Sequence, residues 1–142
     1  MLYFDLYSTL GFLFVNTGFQ AKQNLTVIFQ KEGFSTTIDQ FVVMSALFGT
    51  HGITQKQICD KCGKNRSNLT RLLRRMENTG LITRKKGYDG RSRYVYLSEE
   101  GRELFISLAP IAVKYMAQVL GDLSDDEKDL LTKLVLRIRE KL

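Results

Sequence analysis

The chain has 142 residues, 44% of them hydrophobic and 25% charged, with one proline and eleven glycines. This fits one ordinary domain, read over residues 1–142, that buries a core without staples; it excludes disordered and collagen-like classes. The formal net charge is +6, and twelve Lys/Arg against three Asp/Glu between Thr54 and Val95 give that middle stretch +9, while Met1–Ile53 nets −1 and Tyr96–Leu142 nets −2. A basic middle favours an anionic partner: nucleic acid, a membrane surface or an acidic protein.

In chain order, Leu2–Val15 is apolar, without a basic leading region or a clear cleavage site, and too short to span a bilayer. It reads as a buried or dimer-forming helix, with secretion as the alternative; a cytoplasmic location and no membrane contact are expected. Leu6, Leu10, Leu13, Phe14, Leu25, Ile28 and Phe29 recur at threes and fours, so one long or broken helix runs to about Lys31. Gly11 and Gly18 weaken its continuity, and Gly33 is its stop signal. Thr36 and Thr37 then offer N-caps for a helix to about Phe48, apolar nearly all round and so buried.

After Gly49 and Gly52, Thr54 with Gln57 forms a capping box for a helix over residues 54–62. Gly63 is the turn. The next helix, residues 65–79, carries Leu69, Leu72, Leu73 and Met76 at offsets 0, 3, 4 and 7, and Gly80 follows it. Leu81–Lys86 and Arg93–Leu97 read as strands flanking Gly87-Tyr88-Asp89-Gly90, with the Asp-Gly signal of a tight hairpin. Helix, glycine turn, helix and hairpin make a helix-turn-helix with a wing over residues 36–100, the wing at 81–97. Ser98-Glu99-Glu100-Gly101 opens a helix to about Leu120 with Pro110 inside it as a candidate kink. Ser124 caps the last helix, whose acidic start suits its N-terminal end and whose stripe is Leu130, Leu131, Leu134, Val135 and Ile138.

The helix after Gly63 presents Arg66, Ser67, Asn68, Thr70, Arg71, Arg74 and Arg75 away from its leucines. Arginine reads guanine, asparagine reads adenine, and serine or threonine bonds bases or phosphates. The bland alternative is a solvated helix face, disfavoured by the basic hairpin that follows. That hairpin adds Arg84, Lys85, Lys86, Arg91 and Arg93, and a basic loop tip suits a minor groove. Asp89 either pairs with Arg91 or serves the turn itself.

These residues carry a resemblance. Ile-Thr-Gln-Lys-Gln-Ile at 53–58, the run from Asn68 to Ile82, Arg84, Asp89-Gly90-Arg91 and Val95–Gly101 resemble the multiple antibiotic resistance regulator (MarR) family. The flanking helices match its layout in pattern. The resemblance implies a mainly α fold with a small β-hairpin wing, a winged helix-turn-helix with N- and C-terminal dimerisation helices at 1–33 and 102–142. It implies a homodimer on a palindromic operator in double-stranded DNA, recognition helices in successive major grooves and wings in adjacent minor grooves. By position, Thr70 and Arg71 fall where the family contacts DNA, and Asp89 and Arg91 match its wing Asp-x-Arg pair. The wing departs from the family in having Gly87-Tyr88 before a single Asp89, where members often carry a longer charged tip with a second Asp.

Two cysteines do not make a disulfide scaffold. Cys59 and Cys62 form Cys-Asp-Lys-Cys on one helix. One such pair, with His51 as the only further candidate and Asp60 pointing elsewhere, falls short of the four ligands of zinc, so no metal and no cofactor is expected. They read as small core residues, with redox sensing as the alternative. Tyr3, Phe4, Tyr7, Phe12, Phe14 and Phe19 are core or interface, or line a pocket for a small aromatic effector, as the family commonly does.

The expected function is therefore a sequence-specific DNA-binding transcriptional regulator, a homodimeric repressor released by a small ligand or by oxidation. The alternative is a winged-helix protein-interaction module without DNA, which needs no arginine cluster on that face. An enzyme is not expected: there is one histidine, no carboxylate pair beside a nucleophile, and no phosphate-cradling glycine loop.

Overall fold

A computed structural model describes residues 9–142. The elements are α1 (Leu10–Lys31), α2 (Ile38–Leu47), β1 (Ile53–Thr54), α3 (Gln55–Cys62), α4 (Arg66–Asn78), β2 (Ile82–Lys86), β3 (Arg93–Leu97), α5 (Glu99–Val119) and α6 (Asp125–Arg139). The expected beginning of the first helix, with Leu2, Tyr3, Phe4, Leu6 and Tyr7, lies outside the described residues. No described helix is long and apolar enough to cross a membrane.

The chain divides into two compact units at Pro110, within α5. In the first, the core gathers Phe29 from α1, Val43, Met44 and Leu47 from α2, Ile58 from α3, Leu69, Leu73 and Met76 from α4, Ile82 and Val95 from the sheet, and Leu108 from α5. Phe41 stacks on Phe105 at 5.3 Å and meets Phe29 edge-on at 5.4 Å, while Phe48 lies 4.6 Å from Phe105. Complete burial of one such side chain contributes roughly 1.5–3 kcal/mol, more than a typical cap at ~1 kcal/mol, so packing sets how each helix is rotated. Caps set where the helices begin. Thr37 with Gln40 and Thr54 with Gln57 form reciprocal boxes, and Asn65 accepts from the Asn68 N–H. At the turn between α3 and α4, Gly63 adopts φ 62°, a left-handed conformation that a side chain resists.

The sheet departs from the expected two-stranded hairpin. It has three antiparallel strands in the order β1-β3-β2, because Ile53 and Thr54 pair with Val95 and Tyr94. Two residues are too few to show an alternating pattern, and Thr54 also caps α3. The Asp-Gly pair does not form the tight two-residue turn either. Strands β2 and β3 pair out to Lys86 and Arg93, and residues 87–92 form a longer loop closed by the Gly87 N–H donating to Ser92 O at 2.7 Å. Helix α1 runs unbroken through Gly11 and Gly18, whose Cα positions face open space. Helix α5 continues through Pro110.

On α1, Leu10, Val15 and Phe19 are 83%, 69% and 55% exposed. In the second unit, α6 starts on a reciprocal box between Ser124 and Glu127 and buries no residue. Its stripe of Leu130, Leu131, Leu134 and Ile138 is open to solvent.

The start of α5 closes on the sheet. The Ser98 hydroxyl donates to Gly80 O at 2.5 Å and accepts from the Gly101 N–H at 3.0 Å. A Cβ on Gly101 would overlap the carbonyl oxygen of Leu81. In an open helix Gly→Ala stabilises by up to ~1 kcal/mol. Here the backbone clash outweighs that gain, and Gly101→Ala is expected to destabilise the fold by roughly 1–3 kcal/mol in urea unfolding. A stability gain would show that the approach is not tight.

Candidate nucleic-acid interface

Helix α4 turns about 100° per residue, so its buried stripe of Leu69, Leu72, Leu73 and Met76 dictates what faces solvent. Ser67, Arg71 and Arg74 fall opposite that stripe, and all three are exposed. Arg66 and Thr70 lie on one flank, Asn68 and Arg75 on the other. The face is partly pre-ordered. Gln55 of α3 donates to the Thr70 hydroxyl at 2.6 Å, and that hydroxyl donates to Arg66 O at 2.7 Å. Arg71 donates from Nη2 to Asn68 Oδ1 at 2.6 Å.

The Arg66 flank borders a groove shared with Lys56 of α3 and with Arg91, Ser92 and Arg93 of the wing. The Arg75 flank borders a second groove, lined also by Lys22 of α1, Asp39 of α2 and Lys64 of the turn. Asp39 accepts from Lys64 and lies 2.9 Å from Lys22 Nζ. Burial would raise the Asp39 carboxyl, but hydrogen bonds and charge from Lys64 and Lys22 outweigh it and hold the pKa below the ordinary aspartate value.

Asp89 shapes the wing loop. Its Oδ1 accepts from the N–H groups of Arg91 (3.0 Å) and Ser92 (2.8 Å), and its Oδ2 accepts from the Ser92 hydroxyl at 2.6 Å. The Ser92 hydroxyl, then the two N–H groups, lower its pKa. Of the two roles expected for Asp89, this is the turn itself, and the Arg91 guanidinium has no acidic partner among the described residues.

Among the described residues the ion pairs are Lys22–Asp39, Lys64–Asp39 and Arg84–Glu77. Arg66, Arg71, Arg74, Arg75, Arg91 and Arg93 enter none of them, and all six are exposed. Six guanidinium groups outside these ion pairs, on one helix and the wing, suit a polyanion.

A sequence model described as the MarR family matches residues 33–92. The transcriptional regulator HosA of Escherichia coli O157:H7 is 32% identical over 120 residues, covering 84% of this chain and 89% of HosA. The chain belongs to the MarR family. Its fold is also that of a solved S. aureus MepR–DNA complex (TM-score 0.83, 18% identity, 97% of this chain and 99% of that one). The PcaV transcriptional regulator from Streptomyces coelicolor, solved with its natural ligand, is similar at TM-score 0.82 and 22% identity, over 99% and 98% of the two chains.

In this MarR-family chain most candidate residues converge: Arg66, Ser67, Asn68, Thr70, Arg71, Arg74 and Arg75 on α4, Asp89, Arg91 and Arg93 on the wing. Arg84 does not join them. It shares the inner face of β2 with Ile82, is 22% exposed, and its Nε sits 3.2 Å from Glu77, at ion-pair distance but without hydrogen-bond geometry. It ties the wing to the end of α4. Cys59 and Cys62 are free and half-buried, so neither is a fully buried core residue as expected. Burial pushes the Cys62 thiol up, Cys59 adds to this and Lys64 and Lys61 oppose it; a raised pKa disfavours the reactive thiolate. Among the described residues no three His, Cys, Asp or Glu group together for a metal ion. Of the N-terminal aromatics, Phe12 is half-buried, and Phe14 and Phe19 are exposed on α1. Lys22, Asp39, Gln55 and Lys64 were not legible as neighbours of this face, being joined to it only by long-range contacts.

A carboxyl with a lowered folded-state pKa contributes stability above its unfolded pKa and loses it as pH falls through the folded one. Asp39→Asn should therefore be less stable than wild type at about pH 6, with the gap closing as urea unfolding is repeated toward about pH 2. A gap independent of pH would remove Asp39 from the ion-pair role.

Proposed function

We propose that this chain is a sequence-specific double-stranded DNA-binding transcriptional regulator. It acts as a homodimer on a palindromic operator, in the cytoplasm where the DNA is. The observation that carries this is the exposed arginine face of α4 beside a basic wing, whose exposed arginines enter no ion pair with a carboxylate among the described residues. Ser67, Arg71 and Arg74 enter the major groove and read base edges. Arg91 and Arg93 reach the adjacent minor groove, and Asp89 holds the loop that presents them. The MepR complex with DNA supports this use of the fold.

The exposed apolar residues of α1, and separately those of α6, supply dimerisation contacts; both helices fall within the segments 1–33 and 102–142 expected to dimerise. Patches of this kind on a folded chain mark interaction sites. The regulator represses, and a small ligand releases it. The PcaV structure with its natural ligand favours a ligand signal, and the raised Cys62 thiol argues against oxidation at that residue.

The test is titration on DNA selected from a random pool. Arg71→Ala and Arg74→Ala each weaken binding by roughly 1–3 kcal/mol and relax sequence preference, whereas Arg91→Ala weakens it with less change in major-groove preference. Wild-type affinity falls steeply with salt. Binding that ignores salt, or survives both α4 substitutions, contradicts the proposal.

A further inference from the structure

A helix seated in a major groove about 12 Å wide has a phosphate backbone along each side. On the Arg66 side lies the groove lined by Lys56 and the wing arginines, which Lys64 also borders. The other side is the groove lined by Lys22, Lys64, Arg71 and Arg75 together with Asp39. Four cations face one carboxylate there. Asp39 pairs with the two lysines only, and both arginines lack an acidic partner among the described residues.

We propose that this groove binds a backbone phosphodiester of the DNA, with Lys22 of α1 as a phosphate contact and Asp39 as the residue that positions it. The inference rests on the DNA-binding reading above and extends it to α1, whose part there was dimerisation alone. An ammonium group has three N–H donors, and one contact to Asp39 leaves donors for a phosphate oxygen. Lys22 is the more available lysine, with its side chain 45% exposed against 20% for Lys64. Its tether at 2.9 Å to Asp39, itself linked to the α3–α4 turn through Lys64, fixes it beside the recognition helix. The groove is built from three separate parts of the chain, so no sequence motif contains it.

Phosphate contacts position a duplex without reading it. Lys22 should therefore differ from Arg71 in a definite way. In anisotropy titrations across salt, with the selected duplex and a scrambled one, Lys22→Ala should weaken both equally. It should also make the slope of log affinity against log salt shallower by about 0.9 per subunit. Lys22→Arg, which keeps the charge, should restore the slope, and thermal unfolding checks that each variant is folded. Unchanged slopes in both Lys22→Ala and Lys22→Glu overturn the inference, as does a loss confined to the selected duplex. If Arg71→Ala weakens binding while the Lys22 variants do not, only this groove assignment fails; if wild type binds neither duplex, the DNA reading fails with it. Titration of the DNA-free protein with inorganic phosphate addresses the other source of the same chemistry. A saturable response lost in Lys22→Ala, with an unchanged salt slope, gives the groove to a free anion and overturns the assignment to DNA.

Discussion

The burial of Leu69, Leu72, Leu73 and Met76 is the constraint on which the arginine face depends. These side chains leave α4 one rotation about its axis. With that rotation set, the four candidate arginines on the helix have no inward route, since a buried guanidinium without a partner costs far more than its stem gains. The charge is held outward by the apolar stripe. A change to that stripe would act on the charged face without touching any charged residue.

The parts around α4 hold it at both ends. Asn65 and Gly63 set its start, Gln55 fixes Thr70 from α3, and Arg84 meets Glu77 near its end. The last contact pairs the helix's one acid, itself still exposed, with a wing cation and not with an arginine of α4. The wing is joined to the same platform through β1, which pairs with β3 just before α3 begins. Helix α4 and the wing thus sit on one core, as the proposed reading of two adjacent grooves at a set spacing requires.

What was legible in the sequence was local. The stripe of α4 has period 3.6, its charges lie within one helix, the box at Thr54–Gln57 spans three residues, and the N-cap at Ser124 is a single residue. Arg84 faces the end of α4 and not the open groove, and a local signal for that existed: two residues beyond Ile82 on a strand, it shares the core-facing side. Asp89 left two roles open, because Asp-Gly marks a turn without saying which N–H groups the carboxylate accepts. The six-residue wing loop follows from those bonds. The two-residue β1 had no pattern to detect. The Lys22–Asp39–Lys64 bridge joins residues 17 and 25 positions apart, and nothing local in sequence reports such a contact. The apolar stripe of α6 was visible as a stripe; that its leucines are exposed among the described residues is known only from the structure.

The central claim is that two copies of α4 lie in major grooves one helical turn apart. Methylation interference on a selected duplex tests it directly, because guanine N7 faces the major groove and adenine N3 the minor. The account predicts blocked binding at guanine N7 in two half-sites about 10 base pairs apart, with adenine N3 interference flanking them where the wings reach. Interference at adenine N3 alone, or at one half-site alone, would contradict it.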